Sequence, residues 1–267
     1  MVEQEFSPAG SQKLAVLIDA DNVPYSSIKG IMEEITKDGI PTIKRIYGDW
    51  TKPAMKGWKA SLLEYSITPI QQYAWTTGKN ATDSALIIDA MDILHREHVD
   101  GFCIVSSDSD FTRLASRLRE SGKMVTGIGE KKTPKPFITS CNKFIYIEIL
   151  QKEDASEDNG SKPMGQTEAV PAKKSGKQAD SLLKIDEEIK SLLRSAVDRV
   201  SDDAGWANLG DIGNSLRVVK SDFDSRNYGF SKLSGMFKSL NALFETEERP
   251  HSSKKKSKAI YVRNKPQ

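Results

Sequence analysis

Short apolar runs alternate with amphipathic helical stretches over residues 13–149, and this alternation is the strongest constraint on the fold. The apolar runs lie at 14–18, 41–48, 66–74, 101–107, 123–129 and 143–150. Helical patterns lie between them, near 24–38, 53–65, 82–97, 109–121 and 134–141. Near-continuous apolar strands separated by helices are typical of a parallel sheet that is covered on both faces. We therefore predict a three-layer α/β domain over residues 12–150, with a central, mostly parallel sheet.

The rest of the chain changes in composition after residue 150. Residues 151–180 are rich in Ser, Lys, Glu, Gly and Pro and poor in large apolar residues, so we predict a flexible linker. A second, small α+β domain is predicted over 181–265. Its elements are helical patterns at 181–200, 208–217 and 231–241 and a hairpin from strands at 242–246 and 259–263. Its expected core contains Trp206, Leu209, Phe223, Tyr228, Leu233, Phe237, Leu240 and Phe244.

Composition restricts the cellular setting. No run of about 18 apolar residues is present, so we expect no membrane span. The first residues lack a basic start followed by an apolar stretch, so we expect no secretory signal. Cys103 and Cys141 lie in apolar, strand-like contexts and are expected to be buried free thiols, which favours the cytoplasm. The net charge is only +2, so any nucleic-acid binding must come from local patches.

Aspartates follow two of the predicted strands. Asp19 ends the first strand in LAVLIDADN, and Asp108 comes just after the fourth strand in FCIVSSDSD. The carboxyl ends of parallel strands meet at one edge of a sheet, where ligands bind in open α/β folds. We therefore expect both carboxylates at the same edge.

A third acid, Asp83, opens the predicted helix TDSALIIDAMDIL. Steps of 100° per residue place Asp83 on one face with Ile87, Ala90 and Leu94, which we take to be the buried stripe. The other two aspartates of this helix, Asp89 and Asp92, are predicted to form a solvated face. The angular position therefore selects Asp83 as the acid that reaches the edge of the sheet.

Three carboxylates drawn together would repel one another by about 4 kcal/mol per pair at ~4 Å and an effective dielectric near 20. A hard divalent cation relieves that repulsion, and a small set of oxygen ligands suits Mg²⁺ or Mn²⁺. Such an ion can activate water and neutralise charge on a phosphodiester. The chain has only three histidines, which agrees with a carboxylate site. The predicted metal ligands are these three acids, Asp19, Asp83 and Asp108, together with Asp110, which lies two residues after Asp108.

Helix capping is the alternative role for these acids. The pairs Asn80–Asp83 and Ser107–Asp110 both have the spacing of a capping box. Asp21 or Asn22, shortly before Pro24, would also suit a helix start. Asp110 is the acid that a cap alone explains best.

Three sequence blocks, LAVLIDADNV, GKNATDSALIIDAM and CIVSSDSDFTRL, resemble the NYN family, a branch of the PIN-like ribonucleases. The resemblance implies a PIN-like fold and Mg²⁺- or Mn²⁺-dependent endonucleolytic cleavage of RNA. It places Asp19, Asp83 and Asp108 on the acidic, catalytic positions of the family. Asn22 matches a polar position beside the first acid, and Asp110 a further acid. Not every member of such a family need be active, so a catalytically silent RNA-binding adaptor is a second hypothesis.

Two basic side chains are candidate phosphate contacts, Lys79 near the acids and Arg113 on the following helix.

A third hypothesis comes from the first block, which also fits the opening of haloacid-dehalogenase phosphatases. There Asp19 would be a covalent nucleophile and Asp21 its general acid. The region after Lys123 offers no acidic pair at a strand end, and Asp83 would have no role. The phosphatase is therefore the least favoured hypothesis.

The second domain resembles the LOTUS, or OST-type helix-turn-helix, family through its GW pair, the LGDIG run, the FDSRNYGF block and the closing hairpin. The resemblance implies a winged-helix-like module that binds RNA or a protein partner. Its candidate phosphate contacts are three lysines between the hairpin strands, Lys254, Lys255 and Lys256. The sequence leaves the oligomeric state and the RNA target open.

Overall fold

The chain divides into two compact units, Met1–Gly160 and Ser161–Gln267. A computed structural model describes residues 12–73, 81–151, 183–250 and 258–266. Nearly all of the predicted linker lies outside these ranges, so its flexibility stays a prediction. Within the described residues, none of the helices has the length and apolar character needed to cross a membrane.

A six-stranded sheet forms the centre of the first unit, in the order β3-β2-β1-β4-β5-β6. All five neighbouring pairs are parallel, as predicted. β1 and β4 are buried almost throughout, because helices connect the strands and cover the sheet. The strands are β1 Lys13–Asp19, β2 Ile40–Gly48, β3 Thr68–Gln71, β4 Gly101–Val105, β5 Met124–Gly129 and β6 Lys143–Tyr146.

Each predicted helical stretch of this unit contains a helix. The helices are α1 Ile28–Asp38, α2 Trp58–Glu64, α3 Ala81–Arg96, α4 Thr112–Glu120 and α5 Lys135–Ser140. Short 3₁₀ turns precede α1, α2 and α4, at Tyr25–Ser27, Pro53–Gly57 and Ser109–Phe111. Cys103 and Cys141 are buried free thiols, as expected, and burial raises the pKa of each to about 12.

One predicted strand is half wrong. The run at 143–150 is a strand only as far as Tyr146, and residues 147–151, here named α6, are helical. Ile147, Ile149 and Leu150 are buried in the helical part as fully as β6 is. A continuous apolar run does not distinguish a buried strand from a buried helical turn, so periodicity had no basis for placing this boundary.

Asp89 does not lie on a solvated face, contrary to the prediction. Its carboxylate accepts hydrogen bonds from the guanidinium of Arg45 and from the hydroxyl of the buried Tyr47. Burial, together with the Asp89 carboxylate, raises the pKa of Tyr47. α3 packs against β1 and β2, and Asp89 lies on the side that faces β2. Asp92 is solvated as predicted, with a side chain 51% exposed and paired to Arg96.

Asp89→Ala is therefore expected to destabilise the fold, by about 2 kcal/mol, because it leaves a buried hydroxyl and a half-buried guanidinium without their acceptor. Asp92→Ala is the matched control on the same helix and should change the free energy of unfolding by less than about 0.5 kcal/mol. Urea denaturation followed by circular dichroism would measure both. Equal effects of the two substitutions would contradict the structural role of Asp89.

The second unit is a small α+β domain with a three-stranded antiparallel sheet, in the order β7-β9-β8. The strand β7 was not predicted because it has only three residues. Helices cover one face of the sheet. The elements are α7 Glu187–Val200, β7 Trp206–Asn208, α8 Leu209–Val219, α9 Leu233–Ser239, β8 Phe244–Pro250 and β9 Lys258–Asn264.

The predicted core of the second unit is confirmed except at Trp206. Phe223, Tyr228, Phe237 and Phe244 are buried together. Three leucines pack against them: Leu209, Leu233 and Leu240. Trp206 is outside this cluster, because successive residues of β7 point to opposite faces of the sheet and its neighbour Ala207 occupies the buried face.

Candidate active site

The strand order reverses at the centre of the first sheet, where β1 adjoins β4 and the two halves of the sheet begin. β1 ends at Asp19, and β4 ends at Val105, directly before Ser106 and Ser107. In open parallel sheets, ligands bind beyond the strand ends at such a reversal. The loops after β1 and β4 therefore form the edge at which the predicted acids meet.

Asp19 is fully buried, and both of its carboxylate oxygens accept hydrogen bonds from the protein. Its Oδ1 accepts from the backbone N–H of Asp21 at 3.1 Å. Its Oδ2 accepts from Nδ2 of Asn22 at 2.6 Å and from the hydroxyl of Ser106 at 2.9 Å. Burial raises the pKa of Asp19, and these hydrogen bonds partly offset the rise. The carboxylate thus ties the loop after β1 to the loop after β4.

Asp83 lies in the first turn of α3, on the helical stripe that faces the sheet. The buried members of that stripe are Leu86, Ala90 and Ile93. The predicted neighbours Ile87 and Leu94 are only partly buried, because the buried stripe lies about one residue away from the predicted one. Asp83 itself is half-buried, at the end of the stripe.

The charge around Asp83 changes its ionisation. Burial, with a smaller contribution from each of four neighbouring carboxylates, raises its pKa to about 6. These are Asp19, Asp108, Asp110 and Asp21, in decreasing order of effect. Like charges disfavour further ionisation, so the acids of three chain segments add to the effect of burial on Asp83.

Asp108 caps the 3₁₀ turn Ser109–Phe111, and its Oδ1 accepts from the backbone N–H of Asp110 at 2.9 Å. The predicted capping box from Ser107 to Asp110 is wrong. The Ser107 hydroxyl instead accepts from the backbone N–H of Glu130 at 2.8 Å, which joins the ends of β4 and β5. The tight turn brings Asp108 and Asp110 to the same side.

Oxygens of Asp83, Asp108 and Asp110 lie within 4.8 Å of one another. The predicted ligand Asp19 is not part of this group, and both of its carboxylate oxygens accept hydrogen bonds from the protein. An all-carboxylate donor set suits a hard cation such as Mg²⁺ or Mn²⁺, which takes oxygen ligands and keeps several waters. Burial and the neighbouring carboxylates both disfavour the charged form of Asp83, and a divalent cation would offset the negative charge of these carboxylates. The residues present therefore fit such an ion.

The other predicted site residues have varied placements. Asn22 is half-buried and donates to Asp19, while Arg113 is exposed in the first turn of α4. Lys79 and the capping candidate Asn80 lie outside the described residues, as do the hairpin lysines: Lys254, Lys255 and Lys256. The structure adds Ser106 to the site, because its hydroxyl donates to Asp19. Its position directly after a buried strand was the available signal.

Trp206 lies on the outer face of the second unit's sheet, beside two arginines. The guanidinium carbons of Arg249 and Arg263 are 4.8 and 4.7 Å from the centre of its ring. Arg249 also lies 4.5 Å from the ring of Tyr261. Two glutamates hold the arginines in place: Glu247 accepts from Arg249 at 2.9 Å, and Glu245 from Arg263 at 2.6 Å. This outer face carries planar groups at solvent-accessible positions.

The parallel sheet and the acids at its central reversal define a PIN-like α/β domain. A sequence model of the NYN domain matches residues 13–148, just over half of the chain, and the chain belongs to this family. A model of the OST-HTH/LOTUS domain matches residues 180–255. Both resemblances and their order are thus confirmed. The family assignment also removes the support for the phosphatase hypothesis.

Two solved structures are similar to parts of the chain. An uncharacterized protein of Nitrosomonas europaea, solved by NMR, has 39% identity, with 39% of this chain and 94% of that chain covered and a TM-score of 0.31. A crystal structure of a protein of unknown function from Vibrio parahaemolyticus has 22% identity, with 51% and 93% covered and a TM-score of 0.44. A comparison with curated proteins gave no match.

Proposed function

We propose that the protein is a metal-dependent endoribonuclease that cleaves RNA phosphodiester bonds at the edge formed by the loops after β1 and β4. The observation that carries the proposal is the convergence of Asp83, Asp108 and Asp110 within 4.8 Å, in an NYN domain. NYN domains belong to the PIN-like nucleases, which supports both hydrolysis and RNA as the substrate class.

Each residue of the site has a separate proposed role, which follows from its position. Asp83, Asp108 and Asp110 would hold Mg²⁺ or Mn²⁺. When bound, the ion activates a water molecule and neutralises charge on the phosphodiester. Asp19 completes the acidic set and positions the others, because it fixes both loops and its charge acts on Asp83. Asn22 presents its remaining polar atoms at the same edge, and Lys79 and Arg113 remain proposed phosphate contacts.

The test is cleavage of a 5′-labelled single-stranded RNA by the full-length protein, with Mn²⁺, with Mg²⁺ and with EDTA. Products that appear with either metal and vanish with EDTA support the proposal. An RNA that is bound but never cut under any of these conditions would instead identify a catalytically silent adaptor.

For the second unit we propose RNA binding, and the outer face of its sheet is the observation that favours RNA over a protein partner. Arginine guanidiniums and aromatic rings both stack on unpaired bases, and arginine also contacts phosphate. Arg249 and Arg263 are preorganised by Glu247 and Glu245, so little side-chain freedom is lost on binding. The three hairpin lysines, Lys254, Lys255 and Lys256, are proposed as additional phosphate contacts.

The double variant Arg249→Ala, Arg263→Ala is expected to weaken RNA binding by about tenfold, because two stacking and phosphate-contacting groups are lost. Lys238→Ala is the matched control, since it removes an exposed cation that pairs with Glu248 on the same unit. Fluorescence anisotropy with the labelled RNA measures both.

Truncation after Leu150 should weaken RNA binding while leaving Mn²⁺ affinity unchanged. Unchanged RNA affinity after truncation would assign the second unit to a protein partner.

A further inference from the structure

The carboxylates at this edge of the sheet would repel the phosphates of the proposed RNA substrate. Asp83, Asp108 and Asp110 present carboxylate oxygens within 4.8 Å of one another, and the carboxylates of Asp19 and Asp21 act electrostatically on Asp83. A single divalent cation offsets only two negative charges, and each RNA phosphate brings one more. Productive approach of the phosphodiester therefore requires protein cations at the edge of the cluster.

Lys52 is such a cation, and the sequence analysis did not identify it. Its Nζ lies 3.8 Å from a carboxylate oxygen of Asp21, whose other oxygen accepts from the Thr82 hydroxyl at 3.3 Å. Thr82 immediately precedes Asp83. Lys52 therefore joins the loop after β2 to the loop after β1 and the start of α3.

The turn that carries Lys52 is rigidly held. Asp49, directly after β2, accepts hydrogen bonds from the backbone and hydroxyl of Thr51 and from the amide of Gln71. Trp50 donates its backbone N–H to Gln71 at 3.0 Å and its ring N–H to the carbonyl of Ile70 at 3.0 Å. These contacts fasten the turn to β3, so the backbone of Lys52 is fixed while its side chain is free to move.

The ion pair itself is loose. The Lys52 side chain is 45% exposed and that of Asp21 is 38% exposed. An exposed pair at this distance contributes at most about 1 kcal/mol and is screened by salt. Exchange of Asp21 for a phosphate oxygen therefore costs little.

We propose that Lys52 is a substrate-binding residue of the nuclease domain. Its ammonium group exchanges the carboxylate of Asp21 for an RNA phosphate next to the acidic cluster. The proposal rests on the proposed function for its substrate class. Lys52 is not needed to stabilise the fold, because the Lys52–Asp21 pair is weak and the turn is held by other residues. The consequence of replacing Lys52 is a loss of RNA affinity without loss of metal affinity.

The experiment compares full-length Lys52→Gln, Lys52→Arg and Lys56→Gln with the wild type. Lys56 is the matched control, an exposed lysine four residues further along. RNA binding is measured by fluorescence anisotropy at several salt concentrations, with Ca²⁺ as the divalent cation because it also takes carboxylate ligands. Binding of Mn²⁺ alone is measured by thermal shift. Neither readout depends on cleavage.

We expect Lys52→Gln to weaken RNA binding about tenfold. The slope of log affinity against log salt concentration should fall by the amount that corresponds to about one phosphate contact. Lys52→Arg should retain most of the affinity, Lys56→Gln all of it, and Mn²⁺ binding should be equal to or tighter than in the wild type.

Three results would overturn the proposal: RNA affinity of Lys52→Gln equal to that of Lys56→Gln, a parallel loss of Mn²⁺ binding, or no RNA binding by the wild type. Binding that depends on Lys52 without any cleavage would refute the nuclease function alone.

Discussion

Asp108→Asn is expected to reduce metal-dependent RNA cleavage by about 1000-fold or more, because an amide is a poorer ligand for a hard cation than a carboxylate and several kcal/mol of transition-state stabilisation are lost. Asp83→Asn should have a comparable effect, since both acids contribute oxygens to the same cluster. Initial rates on the labelled single-stranded RNA, with Mn²⁺ in excess, measure the loss.

Asp92→Asn is the matched control for both variants, because Asp92 lies on the exposed face of α3, the helix that carries Asp83 in its first turn. Its cleavage rate should stay within twofold of the wild type. If RNA is bound equally by wild type and Asp108→Asn and is cut by neither, the nuclease function fails. Residual cleavage by Asp108→Asn near the wild-type rate would exclude Asp108 from the metal ligands.

The second large effect concerns stability without metal. The pKa of Asp83 is raised from 3.8 to about 6 in the folded protein, so folding disfavours the ionised form. Below pH 3.8 both states bind the proton and no penalty arises. As pH rises towards 6 the unfolded state loses its proton first, stability falls, and the penalty is complete above 6. It amounts to about 3 kcal/mol at most, less the solvent screening of a half-buried group.

Asp83→Asn should therefore raise the melting temperature at pH 8 in EDTA by several degrees and have little effect near pH 4. Mn²⁺ should reverse the order at pH 8, since an ion at about 1,000 times its Kd stabilises the wild type by about 4.1 kcal/mol, which exceeds the penalty. Thermal unfolding followed by circular dichroism at both pH values, with and without Mn²⁺, gives the comparison. A lower melting temperature for the variant at pH 8 in EDTA would contradict the repulsion.

Much of the first unit was predictable, because buried parallel strands have continuous apolar sequences and the connecting helices have apolar residues at helical spacing. The edge position of Asp19 and Asp108 followed from strand ends alone, and the stripe of α3 correctly contains Asp83. The second unit was predictable through its aromatic core.

The remaining features depend on contacts between distant segments. Asp89 was misplaced because helical periodicity does not reveal that Arg45 and Tyr47 stand opposite on β2. Trp206 was misplaced because a three-residue strand is too short to show an alternating pattern. Lys52 carries no sequence signal, since only the fold brings the turn after β2 beside Asp21.

Asp19 differs from the other acids of the site because its carboxylate accepts three hydrogen bonds from the protein. Under the proposed function, exchange of Asp83 or of Asp108 for asparagine would remove a charged ligand and leave a side-chain oxygen in its place. Exchange of Asp19 would release Asn22 and Ser106 together, so two loops would lose their common anchor and drift apart. Acids that look alike in the sequence thus have different surroundings: Asp83 and Asp108 offer oxygens to the proposed ion, and Asp19 joins the loops after β1 and β4.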